Sequence, residues 1–154
     1  MREPPEPEKY FLTLPEFSRT HMGAKSNNIK VLHDGLGQWI NLPKSACIPF
    51  KSMEYTLNLQ PDIRDEITTL VRKLNRIKNV KRMNRILYKC KDLTMKLDFI
   101  ASDHMHSMIK RGLLEFGIQE KDFAQAWKTI KSVWASKFNE RAFLATKKIG
   151  VSLH

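Results

Sequence analysis

The sequence predicts a mainly helical chain with one short strand. Apolar residues recur at helical spacing through most of the chain after residue 60, whereas only Ala46–Phe50 has the pattern of a strand. The chain has 154 residues, 42% of them hydrophobic, which suffices for one domain that buries about two-thirds of its unfolded surface. We therefore expect one domain over residues 21–154, preceded by a short leader.

The N-terminal part of the chain differs in composition from the rest. Residues 1–20 are rich in Pro, Glu, Ser and Thr and offer little to bury, so we expect an extended, mobile leader. A short helix is predicted over 24–33, because Ile29 and Leu32 have helical spacing and a glycine-containing cluster follows. The strand is predicted at Ala46–Phe50, which is short, apolar and bracketed by prolines.

The second half of the chain is predicted to form long amphipathic helices. Pro61 fits the first turn of a helix, where proline is well tolerated. The apolar residues that follow fall on one helical face and are Ile63, Ile67, Leu70, Val71, Leu74 and Ile77. Further helices are predicted over 80–90, 93–116 and 121–148, with breaks near Asn79, Gly112 and Gly117.

Charge is the most unusual property of the composition. Lys and Arg number 27 against 16 Asp and Glu, and the net charge of +11 favours a polyanionic partner such as a nucleotide, a nucleic acid or a phosphorylated polymer. Much of this charge lies in a basic segment at about residues 72–91, whose cations are Arg72, Lys73, Arg76, Lys78, Lys81, Arg82, Arg85, Lys89 and Lys91. Such a segment could bind nucleic acid, an acidic membrane surface or phosphorylated glucan, or could be only a solvated helix face.

Little in the sequence points to a metal or disulfide site. Cys47 and Cys90 are far apart and outside any C-x-x-C pair, which favours a reducing compartment. His104 and His106 would diverge on a helix, and the other histidines have no carboxylate or Cys nearby in sequence. The sequence shows neither a targeting signal nor an apolar run of about 20 residues, so we expect cytoplasmic localisation, or a plastid if N-terminal sequence is missing.

Gly23 and Lys25 form the first candidate site. They stand at the predicted start of a helix, where backbone N–H groups and the positive end of the helix dipole favour a phosphate, and the lysine would add a point charge. The motif lacks the adjacent Gly-Lys pair and the upstream glycine of a Walker loop. An ordinary helix start with a solvated lysine is the alternative.

The second candidate site lies in Ala126–Ala142, which is rich in both Trp and charge. If this stretch is one helix, Lys137 and Arg141 stand one turn apart and could face an anion together. Trp127 and Trp134 then form a stripe that we expect to be buried, since a Trp at helical spacing is more often core than a stacking platform. The alternative for the two cations is a solvated basic face.

Three segments in their order along the chain resemble alpha-glucan water dikinases, and they are Gly23–Ile29, Leu42–Phe50 and Ala126–Ala142. The glycine-lysine start and the Ala-Ser-x-x-Asn-x-Arg-Ala pattern are more distantly similar to the nucleotide-binding domains of phosphoenolpyruvate synthase and pyruvate phosphate dikinase. The resemblance implies a partial α/β ATP-grasp-like nucleotide-binding domain. The basic segment 72–91 has no counterpart in it and looks like an insertion.

The resemblance also implies a function. In this family ATP gives its β-phosphate to a histidine, which passes it to a glucosyl hydroxyl, while the γ-phosphate goes to water and Mg²⁺ accompanies the nucleotide. By position, Lys25 would contact the nucleotide phosphates and Gly23 would allow close backbone approach. Further candidates to contact the nucleotide are Lys137, Asn139 and Arg141. The implied partners are ATP, alpha-glucan through domains outside this chain, and the remainder of a dikinase, but neither DNA nor a membrane.

We expect this chain to lack a complete active site. The family's phosphohistidine segment, its arginine-serine phosphate motif and its magnesium and adenine ligands are expected outside these residues, and phosphoryl transfer depends on such positioning and charge stabilisation. The sequence therefore predicts an ATP-binding portion of an alpha-glucan water dikinase that is inactive alone. The alternative is a non-catalytic, basic helical module that binds a polyanion or a protein partner.

Overall fold

The structure is a computed structural model, and it describes residues 9–20, 22, 24–49 and 51–148. It is mainly helical, which confirms the predicted class. The helices are α1 (Ala24–Leu36), α2 (Lys51–Asn58), α3 (Pro61–Leu74), α4 (Val80–Met95), α5 (His104–Phe116), α6 (Phe123–Ala135) and α7 (Glu140–Lys148). The strands are β1 (Leu12–Thr13) and β2 (Ala46–Cys47), and short 3-10 turns lie at Leu14–Glu16 and Glu120–Asp122.

The chain divides into two compact units. The first contains the residues up to Glu54 together with Ile100–Glu120, and the second contains Tyr55–Phe99 and the residues from Lys121 onward. The chain therefore passes from the first unit to the second, returns to the first and ends in the second. No helix within the described ranges is both long and apolar enough to cross a membrane.

A two-stranded antiparallel sheet lies in the first unit. It pairs Leu12 with Cys47 and Thr13 with Ala46. The predicted strand is therefore present but shorter than expected, since Ile48 and Pro49 lie outside it and proline cannot donate a ladder hydrogen bond. Phe50, the last residue of that prediction, lies outside the described residues.

The N-terminal segment differs from the expected leader over its described part, residues 9–20. Leu12 and Phe17 are buried and cluster with Met22. These apolar side chains hold the segment against the first unit, because burying each one removes apolar surface from water. Strand β1 is thus part of the fold, although the composition of residues 1–20 gave no strand signal.

Helix α5 crosses the predicted break at Gly112, and that prediction is wrong. Gly112 is buried within the helix, and a Cβ built on it would lie 2.3 Å from Cγ of Phe11. The glycine is present because the Phe11 ring occupies this space and also packs edge-on against Phe116, with ring centroids 6.2 Å apart. The predicted break at Gly117 is confirmed, because this residue ends α5 with a left-handed φ of 117°.

The predicted helix over 93–116 is wrong, because α4 ends at Met95 and α5 begins at His104. Asp103 caps α5, and its carboxylate accepts a hydrogen bond from the backbone N–H of His106 at 3.0 Å. His106 is fully buried, and its Nδ1 accepts from the backbone N–H of Ile100 at 2.8 Å. Burial lowers the pKa of His106, although the charge of Asp103 opposes that shift. The imidazole therefore serves the fold as a neutral acceptor.

Helix α4 is the centre of the second unit and packs against α3, α6 and α7. The buried apolar residues of α3 and α4 are Ile67, Leu70, Val71, Leu74, Met83, Leu87, Cys90 and Leu93. The predicted amphipathic helix from Pro61 is confirmed, although it ends at Leu74 and leaves Ile77 beyond it. The break near Asn79 is also confirmed, since its side chain caps α4 by accepting from the backbone N–H of Arg82 at 3.0 Å.

Aromatic side chains pack against one another on the α6 side of the second unit. Trp127 is buried, and its ring lies edge-on to those of Phe99 and Trp134, at centroid distances of 5.4 and 5.5 Å. Its indole N–H donates to the carbonyl of Leu97 at 3.3 Å. Lys131 reaches the last residue of α4 and donates to the carbonyl of Met95 at 2.7 Å, which suits a cation at a helix C-terminus. The expected buried position is confirmed for Trp127, whereas Trp134 is only half-buried.

The close contact at Gly112 predicts an unusual response to alanine. Alanine is the better helix former by about 0.5–1 kcal/mol, yet Gly112→Ala should lower the free energy of unfolding by about 1–3 kcal/mol because its methyl group overlaps Phe11. Gly35→Ala is the matched control, since a Cβ there meets nothing within 4 Å and should leave stability unchanged or slightly raised. Urea unfolding followed by circular dichroism measures both, and equal effects of the two substitutions would contradict this packing.

Candidate functional site

The start of α1 carries the first candidate site. Helix α1 begins at Ala24 and extends to Leu36, three residues beyond its predicted end. Lys25, its second residue, is exposed and forms no hydrogen bond or ion pair with the part of the chain that the structure describes. Gly23 lies outside the described residues. The first turn of α1 contains no acidic residue, so the positive end of the helix dipole is not neutralised there by a carboxylate.

Two of the three segments that carry the family resemblance meet in the first unit. The side chain of Ser26, next to Lys25, lies beside the thiol of Cys47 in β2, and that thiol donates to the carbonyl of Ile48 at 3.6 Å. Burial raises the pKa of the Cys47 thiol, and the nearby Ser26 side chain opposes that shift. The thiol is therefore neutral at physiological pH, and the first turn of α1 lies next to the sheet.

Two other lysines of the first unit, Lys30 and Lys44, form polar contacts within the protein, in contrast to Lys25. Lys30 contacts the carboxylate of Asp34 at 3.3 Å and the carbonyl of Pro15 at 3.4 Å. Lys44 donates to the carbonyl of Phe116 at 2.8 Å, and its ammonium lies 4.7 Å from the centroid of that ring. Lys44 thus caps the end of α5, where a cation is favoured. Of these three lysines, Lys25 is the one whose charge is available to a ligand.

The second candidate site is a corner between two helices, which corrects the single helix predicted over 121–148. Helix α6 ends at Ala135 and α7 begins at Glu140, so Lys137 lies in the turn between them while Arg141 is exposed in α7. The expectation that Lys137 and Arg141 stand one turn apart on one helix is therefore wrong. Lys137 is half-buried, with its ammonium 5.0 Å from the centroid of the Phe138 ring.

Asn139 holds this corner together. Its Oδ1 accepts from the backbone N–H of Ala142 at 2.8 Å, and its Nδ2 donates to the carbonyl of Ser136. The next residue, Glu140, accepts a hydrogen bond from Asn84 of α4 at 2.8 Å. Most of the Ala-Ser-x-x-Asn-x-Arg-Ala pattern thus shapes a helix–turn–helix corner. A nucleotide contact from Asn139 stays a prediction.

The predicted site residues divide between the two units. Lys25 belongs to the first, whereas Lys137, Asn139 and Arg141 belong to the second. Beneath the corner, burial raises the pKa of the Cys90 thiol to about 11, with the charge of Lys137 opposing the shift, so this thiol is not a nucleophile at neutral pH. Among the described residues, no group of three or more His, Cys, Asp or Glu side chains could hold a metal ion.

Two features of the molecule were not singled out from the sequence. The contact between Ser26 and Cys47 joins residues 21 positions apart, and no local sequence pattern predicts such a contact. Tyr88 is 66% exposed among the cations of α4. Its position three residues after Arg85, on the side opposite the apolar stripe, was the signal that could have identified it.

Known proteins of similar sequence identify the family to which this chain is related. The chain is related in sequence to the alpha-glucan water dikinases, which confirms the resemblance. It is 30% identical over 143 residues to alpha-glucan water dikinase 2 of Arabidopsis thaliana, covering 90% of this chain and 11% of that protein. It is 29% identical over 149 residues to the chloroplastic alpha-glucan water dikinase of Citrus reticulata, covering 92% and 10%, respectively. The chloroplastic enzyme of Solanum tuberosum is 30% identical over 148 residues, 91% of this chain and 10% of that protein.

These matches cover most of this chain but only a small part of each relative. The chain spans about a tenth of the length of the curated relatives it matches. No protein-family model matches the chain. No solved structure matches it either. The relationship therefore rests on sequence over nearly the whole of this chain and on a small part of each relative.

The hydrogen bonds of Asn139 predict a structural effect of its removal. Asn139→Ala should lower the free energy of unfolding by about 0.5–2 kcal/mol, because the first turn of α7 loses its cap. Asn139→Asp keeps the accepting oxygen and should retain most of the stability. Chemical denaturation of both variants measures the effect, with ATP titration in parallel. A loss of ATP affinity at unchanged stability would instead place Asn139 against the nucleotide.

Proposed function

We propose that this chain is part of the ATP-binding region of an alpha-glucan water dikinase, and that the start of α1 holds the nucleotide phosphates. The observation that carries the proposal is the exposed and uncompensated charge of Lys25 at the first turn of a 13-residue helix. The sequence relationship to the dikinases supports it. The partial ATP-grasp-like fold implied by the resemblance belongs to the same proposal.

The chemistry of the helix start suits a polyphosphate. The first backbone N–H groups of a helix have no partner within the helix and point toward a ligand placed at its end. Lys25 adds a charge that can follow the phosphate oxygens, because its ammonium sits on a flexible stem. Ser26 in this turn lies beside Cys47 of β2, so the turn is next to the sheet before nucleotide arrives and less order has to be created on binding.

The role of these residues in phosphoryl transfer is to bind and orient the nucleotide. Transfer of a phosphoryl group relies on positioning and on stabilising charge rather than on covalent chemistry by the protein. The chain corresponds to about a tenth of its relatives, so we propose that it binds ATP but completes no transfer alone. The glucan substrate, the magnesium ion and the acceptor histidine would then be held by other parts of a dikinase. The cytoplasmic location stays a prediction.

Removal of Lys25 tests the proposal. Lys25→Ala should weaken ATP binding by about tenfold to a hundredfold, the loss expected for a hydrogen bond to a charged group of 1.5–3 kcal/mol. Lys30→Ala is the control, since it removes the same charge from the same helix at a lysine already paired with Asp34, and its affinity should change by less than about twofold. Isothermal titration with ATP, with and without magnesium, measures both. Equal affinity of Lys25→Ala and the wild type would refute the phosphate site.

A further inference from the structure

The basic segment carries charge that the fold leaves uncompensated. Eight of its nine cations are exposed, and these are Arg72, Lys73, Arg76, Lys78, Lys81, Arg82, Arg85 and Lys89. Within the described residues, none of these eight side chains forms an ion pair. Exposed cations elsewhere do find partners, as Lys9 does with Glu16 at 2.5 Å. The contrast distinguishes this segment from an ordinary mixed-charge surface.

The order of charges along α4 opposes helix stability. Lys81 and Arg82 lie in the first turn, beside the positive end of the helix dipole, where cations are unfavourable and where α4 has no acidic residue. Lys81, Arg85 and Lys89 then follow one another at intervals of four, which places like charges side by side until Asp92. Local choices that work against the fold are expected at functional positions. A bound polyanion would relieve both conflicts.

An aromatic ring lies within the same surface. Tyr88 is 66% exposed, follows Arg85 by three residues and has the ammonium of Lys91 5.3 Å from its ring centroid. We name Lys81, Arg85, Tyr88 and Lys89 the α4 basic face. An exposed aromatic platform beside cations is the combination that proteins use to hold single-stranded nucleic acid, with stacking on the bases and charge on the backbone.

Other polyanions fit the α4 basic face less well. An amphipathic helix that inserts into a membrane needs a free apolar side, but the apolar side of α4, with Leu87 and Cys90, is buried against the other helices of its unit. A glucan with scattered phosphates would leave most of the cations without a partner. A nucleic acid strand carries a phosphate at every nucleotide, so neighbouring cations can each displace counterions.

We propose that the α4 basic face binds a single-stranded nucleic acid through its phosphodiester backbone, with Tyr88 stacking on a base. The binding is independent of base sequence, because the face offers charges and a ring but no set of groups arranged to read base edges. This function is separate from the nucleotide site proposed at Lys25. The Lys25→Ala variant should therefore bind nucleic acid as the wild type does.

Fluorescence anisotropy with labelled oligouridine of about 12 nucleotides tests the proposal. The triple variant Lys81→Ala, Arg85→Ala, Lys89→Ala should lose at least about tenfold in affinity, and the slope of log affinity against log salt should shrink by about 2, since each phosphate contact on a single strand contributes about 0.7. The matched control removes three exposed cations elsewhere, Arg111, Lys121 and Lys128, also by alanine. Its affinity should fall less than about threefold with an unchanged slope. Thermal unfolding verifies that both variants are folded.

Substitution of Tyr88 distinguishes the contribution of base stacking to the affinity from that of charge. Tyr88→Ala should weaken binding by about fivefold to a hundredfold at an unchanged salt slope, whereas Tyr88→Phe should keep the affinity. Oligothymidine in a parallel titration tells whether RNA or DNA is preferred, and binding of either supports the shared phosphodiester chemistry. Equal losses in the two triple variants would overturn the proposal, because attraction would then come from net charge alone. Displacement of oligouridine by phosphorylated glucan at a lower phosphate concentration, or by anionic vesicles, would also overturn it.

Discussion

Helix α4 has to bury one side completely while its opposite side carries cations, and the second unit is arranged around this constraint. Leu87 and Cys90 face inward among α3, α6 and α7. Truncating a buried leucine of this kind to alanine costs about 2–5 kcal/mol, which exceeds the like-charge repulsion along the outer side. Asn84 and Lys131 add hydrogen bonds to α7 and α6. The packed side therefore fixes the helix on which the α4 basic face is displayed.

In the first unit, too, buried residues fix a helix that carries an exposed cation. Its apolar anchors, Leu12 and Phe17, hold the segment before α1, while Phe11 fits over Gly112 of α5. The start of α1 lies beside β2 at Ser26 and Cys47. Both units thus use contacts between residues distant in sequence to present an exposed cation on a fixed helix. In the first unit that cation is Lys25.

The sequence predicted the elements whose signal is periodic and local. The amphipathic stripe of α3 and the turn residues Asn79 and Gly117 were sufficient to place those boundaries. The breaks before α5 and α7 were missed because apolar spacing continues across them, whereas the helix starts there depend on the caps Asp103 and Asn139. Strand β1 was missed because it contains only two residues, and these pair with residues more than 30 positions away in the sequence.

The candidate site was predictable to the same extent. A helix start with a glycine and a lysine is a local pattern, so a phosphate site at the start of α1 could be proposed from the sequence, and Lys25 is exposed there in the structure. The joint role expected of Lys137 and Arg141 depended on one continuous helix, which the corner at Asn139 interrupts. The sequence pattern did not tell a capping role of Asn139 from a binding role, because an asparagine at the start of a helix can cap that helix or contact a ligand placed there.

If the first turn of α1 receives the nucleotide phosphates, a two-dimensional nitrogen-15 NMR titration of the chain with ATP should show this residue by residue. The largest shifts should then fall on the backbone amides of Lys25, Ser26 and Asn27, which lie at the start of α1. Shifts confined to the corner at residues 136–142, or no shifts at all, would rule out a phosphate site at this turn.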